Sequence, residues 1–158
     1  MPQPTAYLDA LKMLARRELS EAQVRSRLAR RGHQDADILT AVARLKSERA
    51  IDDARVAEAI ARAQISMKGR GRLRVLREIE RAGIALHTAR RTVDEAFSSI
   101  DDSALIAAAA RKRLRGRGSV ATDRDLGKLY RYLVRQGFEP DRVMAHLRTL
   151  RSDAGTDD

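Results

Sequence analysis

The stretch Val75-Leu76-Arg77-Glu78-Ile79-Glu80-Arg81-Ala82-Gly83-Ile84 decides the fold. Val75 and Ile79 lie one turn apart on a single helical face, among charged neighbours. Gly83 follows four residues later, where a helix ends on a residue in the left-handed conformation. The same device stands upstream as Val24, Leu28 and Gly32 and downstream as Leu129, Leu133 and Gly137, so the glycines are 51 and 54 residues apart. Six and ten residues beyond each glycine come Ile38 and Val42, Ala89 and Val93, and Val143 and Leu147, a second amphipathic helix repeated three times. The middle copy is the weakest, with small Ala89.

A third helix opens each unit. Ile51-Asp52-Asp53 and Ile100-Asp101-Asp102, 49 residues apart, each place an Asp N-cap between an apolar residue and a second one, Val56 or Leu105, at the fourth helical position, which is a hydrophobic staple around a capped start. The first unit lacks this motif and starts near Thr5. Ser20 and Gln23 form a capping box with Leu19 stapled to Val24; Phe138 and Val143 staple the last helix, with Pro140 at its first position. These signals predict helices over 5–17, 20–31, 35–48, 52–67, 71–82, 86–98, 102–115, 123–136 and 140–151, and no stretch has a strand period. The expected class is all-α: an elongated tandem array of three three-helix, helix-turn-helix-like repeats, 1–50, 51–99 and 100–152, with a frayed acidic tail at 153–158. Units of about 50 residues bury too little surface to stand alone, so neighbours should stack.

Lys plus Arg number 32 against 22 Asp plus Glu, a formal charge of +10 in 158 residues, the footprint of a polyanion binder. Between Arg62 and Arg91 nine basic residues face only Glu78 and Glu80. Within that stretch Lys68-Gly69-Arg70-Gly71-Arg72-Leu73-Arg74 reads as an exposed loop whose alternate cations, Lys68, Arg70, Arg72 and Arg74, suit a phosphate line or an acidic groove, with free amides at the next helix start adding to it. A second cluster, Arg111-Lys112-Arg113-Leu114-Arg115-Gly116-Arg117, sits at a helix C-terminus, where the dipole by itself favours cations; binding and dipole both remain open there. A third group, Arg16, Arg17, Arg25, Arg27, Arg30 and Arg31, is as compatible with a solvated face as with a binding surface. Aromatics make up 3% of residues, so contact to phosphates is expected rather than base stacking.

No active site is expected. His33, His87 and His146 fall one, four and nine residues after their glycines, share no ligand spacing and read as surface histidines. Asp52-Asp53 and Asp101-Asp102 are explained by their helix starts rather than by metal binding, and there is no Walker loop, zinc spacing or nucleophile elbow. No enzyme activity, cofactor or metal is therefore predicted. The chain has no Cys, which fits a reducing compartment. Its first ten residues have no secretory pattern, and its longest apolar run, Ala104 to Ala110, is too short to span a bilayer. A cytoplasmic monomer with no membrane association is expected.

Three stretches in register carry a resemblance to a known family: Leu14-Ala15-Arg16-Arg17-Glu18-Leu19-Ser20, Ile51-Asp52-Asp53-Ala54-Arg55-Val56-Ala57, and Lys68-Gly69-Arg70-Gly71 leading through Val75, Glu78 and Ile79 to Gly83-Ile84. The chain resembles, from Leu8 to Leu150, the RecX family of bacterial regulators of the RecA recombinase. It departs from the family pattern at Val56, where Phe is usual, and at Arg72, where Pro commonly follows the second glycine. The resemblance implies tandem three-helix units and a cytoplasmic protein, acting in DNA repair, homologous recombination and the SOS response, that lies along the groove of a RecA filament on single- or double-stranded DNA. It implies modulation, usually inhibition, of RecA's ATP hydrolysis, strand exchange and coprotease activity. Arg25 in the first unit, Lys68, Arg70, Arg72 and Arg74 in the middle, and Arg111, Arg113 and Arg115 in the last are the candidate contacts, chosen on charge and expected exposure. Two other readings fit the residues: a sequence-specific helix-turn-helix regulator reading half-sites as a dimer, and a basic protein adaptor without DNA contact.

Overall fold

The computed structural model of the chain describes residues 5–115, 120 and 122–154. Among these residues the fold is all-helical, with no strand. The helices are α1 Ala6–Leu14, α2 Glu21–Arg30, α3 Asp35–Ser47, α4 Asp53–Arg62, α5 Arg72–Arg81, α6 Leu86–Phe97, α7 Asp102–Leu114, α8 Asp123–Arg135 and α9 Pro140–Ala154. Each matches an element predicted from the sequence. One departure lies at the end of α4, where the expected continuous helix gives way to a π-helical turn, Ala63–Met67. The loop around Gly116 and the end of the acidic tail lie outside the described residues.

The helix ends follow the local chemistry. Gly32, Gly83 and Gly137 have φ of +88°, +77° and +98°, the left-handed conformation in which an L side chain is strained. Beyond Gly32 and Gly137 the next amide bonds back into the helix, His33 N–H to the Leu28 carbonyl and Phe138 N–H to that of Leu133, closing a Schellman turn. α3 ends in the same way on Arg49, φ +57°, with no glycine to relieve it. At the starts, Asp101 accepts from the amides of Ser103 and Ala104, Asp52 from that of Arg55, and Ser20 with Gln23 forms the reciprocal capping box.

The chain divides into two compact units, Met1–Ile60 with Glu78–Thr92, and Ala61–Arg77 with Val93–Asp158. In the first, α1, α2 and α3 pack on one another around Ala10, Met13, Leu19, Val24, Leu28, Ile38, Val42 and Leu45. In the second, α7, α8 and α9 enclose Ile106, Ala110, Leu129, Leu133, Phe138, Val143 and Leu147. Every aliphatic pair that set the repeat in the sequence is buried, including Val75, Ile79, Ala89 and Val93. Burying one such Val, Leu or Ile contributes about 1.5–3 kcal/mol.

The start of α2 is tied down beyond its capping box. Ser20 is fully buried, and its hydroxyl also donates to the Ala82 carbonyl through a short hydrogen bond. The Glu21 amide, an orphan donor of the first turn, is taken by the Asp53 carboxylate at 2.9 Å. Asp53 thus serves a helix 32 residues away in sequence, while its neighbour Asp52 caps α4.

Candidate functional site

The first unit carries a concavity of about 250 Å³ lined by Lys12, Met13, Arg16, Arg17, Arg27 and Arg31. Lys12 comes from the last turn of α1, Arg16 and Arg17 from the segment after it, and Arg27 and Arg31 from the end of α2. Among the described residues Lys12, Arg16, Arg17 and Arg27 make no side-chain hydrogen bond or ion pair. Arg31 lies 3.4 Å from Asp9, whose side chain is only 8% exposed. Asp9 also meets His33 Nε2 at 2.8 Å. That hydrogen bond, opposed by desolvation and aided by the Arg31 charge, holds the Asp9 carboxyl below the usual carboxylate range. His33 is accordingly no surface residue: 14% exposed, it closes the α2–α3 turn onto α1. His87 is exposed as expected. His146 is half-buried, and burial together with the Arg111 charge lowers its pKa.

Arg25, the candidate contact of this unit, belongs to a different face. Its guanidinium pairs with Glu21 at 2.9 Å, and Lys46 binds the other oxygen of the same carboxylate at 2.9 Å. Desolvation works against Glu21 ionisation, and the two cations outweigh it, so its pKa is lowered. Arg44, Glu48 and Tyr7 form a further local network, with Arg44 3.9 Å above the Tyr7 ring.

In the second unit the segment 68–74 is not the open loop expected. Lys68 is exposed. The Gly71 amide, however, donates to the Gln136 carbonyl and the Leu73 amide to that of Gly137, both at 2.9 Å, so two of the free amides expected at the start of α5 are already satisfied. Arg70 donates to Gln136 Oε1 at 2.6 Å, and its Nε is buried with no hydrogen-bond partner among the described residues. Arg72 pairs with Asp94 at 2.6 Å and lies 5.2 Å over the Phe97 ring. It occupies the first position of α5, where a proline would also fit. Arg74 is half-buried, and its backbone abuts Gly137. The turn after α8, 66 residues on, thus engages Arg70, and Asp94 on α6 engages Arg72.

Beside this segment lies a groove of about 520 Å³ whose lining includes Met67, Lys68, Arg70, Leu105, Lys112 and Tyr132. Met67 is 81% exposed. Arg111, Arg113 and Arg115 are all exposed; Arg113 sits 5.0 Å over the Tyr132 ring. Arg117, the last cation of that cluster, lies outside the described residues. The structure thus places the candidate contacts apart: Arg25 on α2 in one unit, and in the other Lys68 and Arg70 before α5, Arg72 and Arg74 in its first turn, and Arg111, Arg113 and Arg115 at the end of α7. It gathers instead Lys12, Arg16, Arg17, Arg27 and Arg31. Two of these, Arg27 and Arg31, share a helix or its end with Arg25; the other three come from α1 and the segment after it.

Among the described residues no group of three or more His, Asp or Glu could hold a metal ion. No helix of these residues is long and apolar enough to cross a membrane.

Fold and surface together define a class, an all-helical protein whose cations gather at the ends of paired helices. Residues 6–45 match the family model described as "RecX, first three-helix domain". Similar proteins include the regulatory protein RecX of Halorhodospira halophila, 32% identical over 137 residues (86% of this chain, 82% of that one), and that of Chromohalobacter salexigens, 33% identical over 141 residues (87% and 90%). The chain belongs to the RecX family of regulatory proteins. The crystal structure of RecX from Lactobacillus salivarius shares the fold, with a TM-score of 0.76 over 93% of this chain and 95% of that one at 19% identity.

Proposed function

We propose that this chain modulates the RecA recombinase, as an inhibitor that lies along the groove of a RecA filament on DNA and limits ATP hydrolysis, strand exchange and coprotease activity. Family membership over most of the chain carries the reading. Cationic surfaces in both units support it, because a filament offers DNA phosphates and acidic protein groups to the same face. On this reading the chain is a cytoplasmic monomer without catalysis of its own, the ATPase belongs to the partner, and the three helix triplets 1–50, 51–99 and 100–152 act as tandem repeats. Arg111, Arg113 and Arg115, exposed on α7, remain suited to direct contact, as does Lys68. Arg25, Arg70, Arg72 and Arg74 would contribute mainly by holding their surroundings in shape.

The test is the ATPase of RecA on single-stranded DNA, measured with and without this chain. Suppression that rises with its concentration is expected. An unchanged rate at concentrations where the chain co-sediments with filaments would reject the inhibitory reading.

A further inference from the structure

The concavity at the ends of α1 and α2 presents five cations, Lys12, Arg16, Arg17, Arg27 and Arg31, and a single buried carboxylate, Asp9, beneath Arg31. Cations at a helix C-terminus are ordinarily explained by the dipole. Each helix end carries only about half an elementary charge, so two ends and Asp9 together offset about two of the five. Roughly three positive charges remain uncompensated in one small hollow. Holding them together without an anion is electrostatically unfavourable, whereas elsewhere in this unit the neighbouring cations Arg25 and Lys46 share the Glu21 carboxylate.

We propose that this hollow is a binding site for the backbone phosphates of a nucleic-acid strand. Four of its cations are arginines, whose planar forks match phosphate oxygens bidentately. Its other lining residue is Met13, so it offers no aromatic platform on which a base could stack. Contacts of this kind position a strand and carry no sequence information. Arg31 is held in place from below by Asp9, which is in turn fixed by His33. Asp9 therefore anchors one of the five cations. The proposal rests on the RecA–DNA reading only for its biological setting; the site itself is a property of this chain.

The triple variant Arg16→Ala, Arg17→Ala, Arg27→Ala tests it, since among the described residues none of the three side chains makes a hydrogen bond or ion pair and their loss should leave the helices intact by circular dichroism. Binding of the full chain to single-stranded oligothymidylate is measured as a function of salt. The variant is expected to bind at least tenfold more weakly at low salt, with the log–log salt slope reduced by about 0.7 for each phosphate released. The same variant should retain the slope lost when Arg111, Lys112 and Arg113 are replaced instead. Equal affinity and slope for wild type and triple variant would overturn the proposal. So would a variant that binds oligothymidylate normally but no longer binds a nuclease-treated acidic protein partner. Failure of the wild type to alter RecA ATPase would reject the function proposed above while leaving this readout, made without RecA, untouched.

Discussion

The turns after α2 and after α8 are the same device in two settings. Both end a helix on a left-handed glycine, Gly32 or Gly137, and both close a Schellman turn. A Cβ placed on Gly32 would meet nothing within 4 Å. One placed on Gly137 would lie 2.3 Å from the backbone nitrogen and the Cβ of Arg74. Across the same contact, a Cβ on Gly71 would fall 2.5 Å from the Gly137 carbonyl carbon. The first turn is therefore held by its side chains, through His33 and Asp9, while the last is held by backbone against backbone. A repeated motif fixes a helix end; what that end is used for depends on what packs against it.

Replacing Gly137 by Ala should have the largest effect, because strain at φ +98° adds to a backbone clash that no rotamer relieves. A loss of about 3 kcal/mol or more in urea unfolding is expected, and Gly71→Ala should approach it from the other side of the contact. A loss near that of Gly32→Ala would mean that the clasp between the two segments is not tight. Ser20→Ala comes next. It removes both the α2 cap and the bond to the Ala82 carbonyl, and a destabilisation of about 2 kcal/mol is expected in the same measurement.

Gly32→Ala should be milder, at about 1 kcal/mol, since only the backbone conformation is strained. A cost as great as that of Gly137→Ala would erase the distinction between the turns. The smallest effect is expected from Asp9→Asn, and it should depend on pH. Because the folded state lowers the Asp9 pKa, the unfolded chain binds the proton more readily. The stability contributed by Asp9 is thus present above the ordinary carboxylate pKa and lost as pH falls through the lowered value. Urea midpoints of wild type and variant should differ at neutral pH and converge in acid; a constant difference would show that the carboxylate charge is not what holds His33.

Much of the fold was legible because its signals are local. The spacing of Val75, Ile79 and Gly83, the Ser20–Gln23 box and the Asp101 cap are relations between residues within one or two turns, and each was found where its pattern placed it. The π-helical turn at Ala63–Met67 left no such mark. Of the candidate contacts, Arg111, Arg113 and Arg115 are exposed, as their charge and their place at the end of α7 suggest. Arg25 pairs with Glu21, an i, i+4 relation that the sequence does contain. Arg16, Arg17, Arg27 and Arg31 were legible as part of a basic group that fitted a solvated face as well as a binding surface, whereas nothing in the sequence joined Lys12 to them.

By itself the sequence determined the helices, their caps and the aliphatic faces that bury them, since hydrogen bonding and side-chain periodicity in a helix reach only three or four residues. The tertiary structure alone decided which cations remain available. Arg70 and Arg72 are engaged by residues 66 and 22 positions away, and Lys12 meets Arg27 only because α1 packs on α2. Charge is a property of the residue, but its freedom to bind depends on neighbours that folding brings from distant parts of the chain.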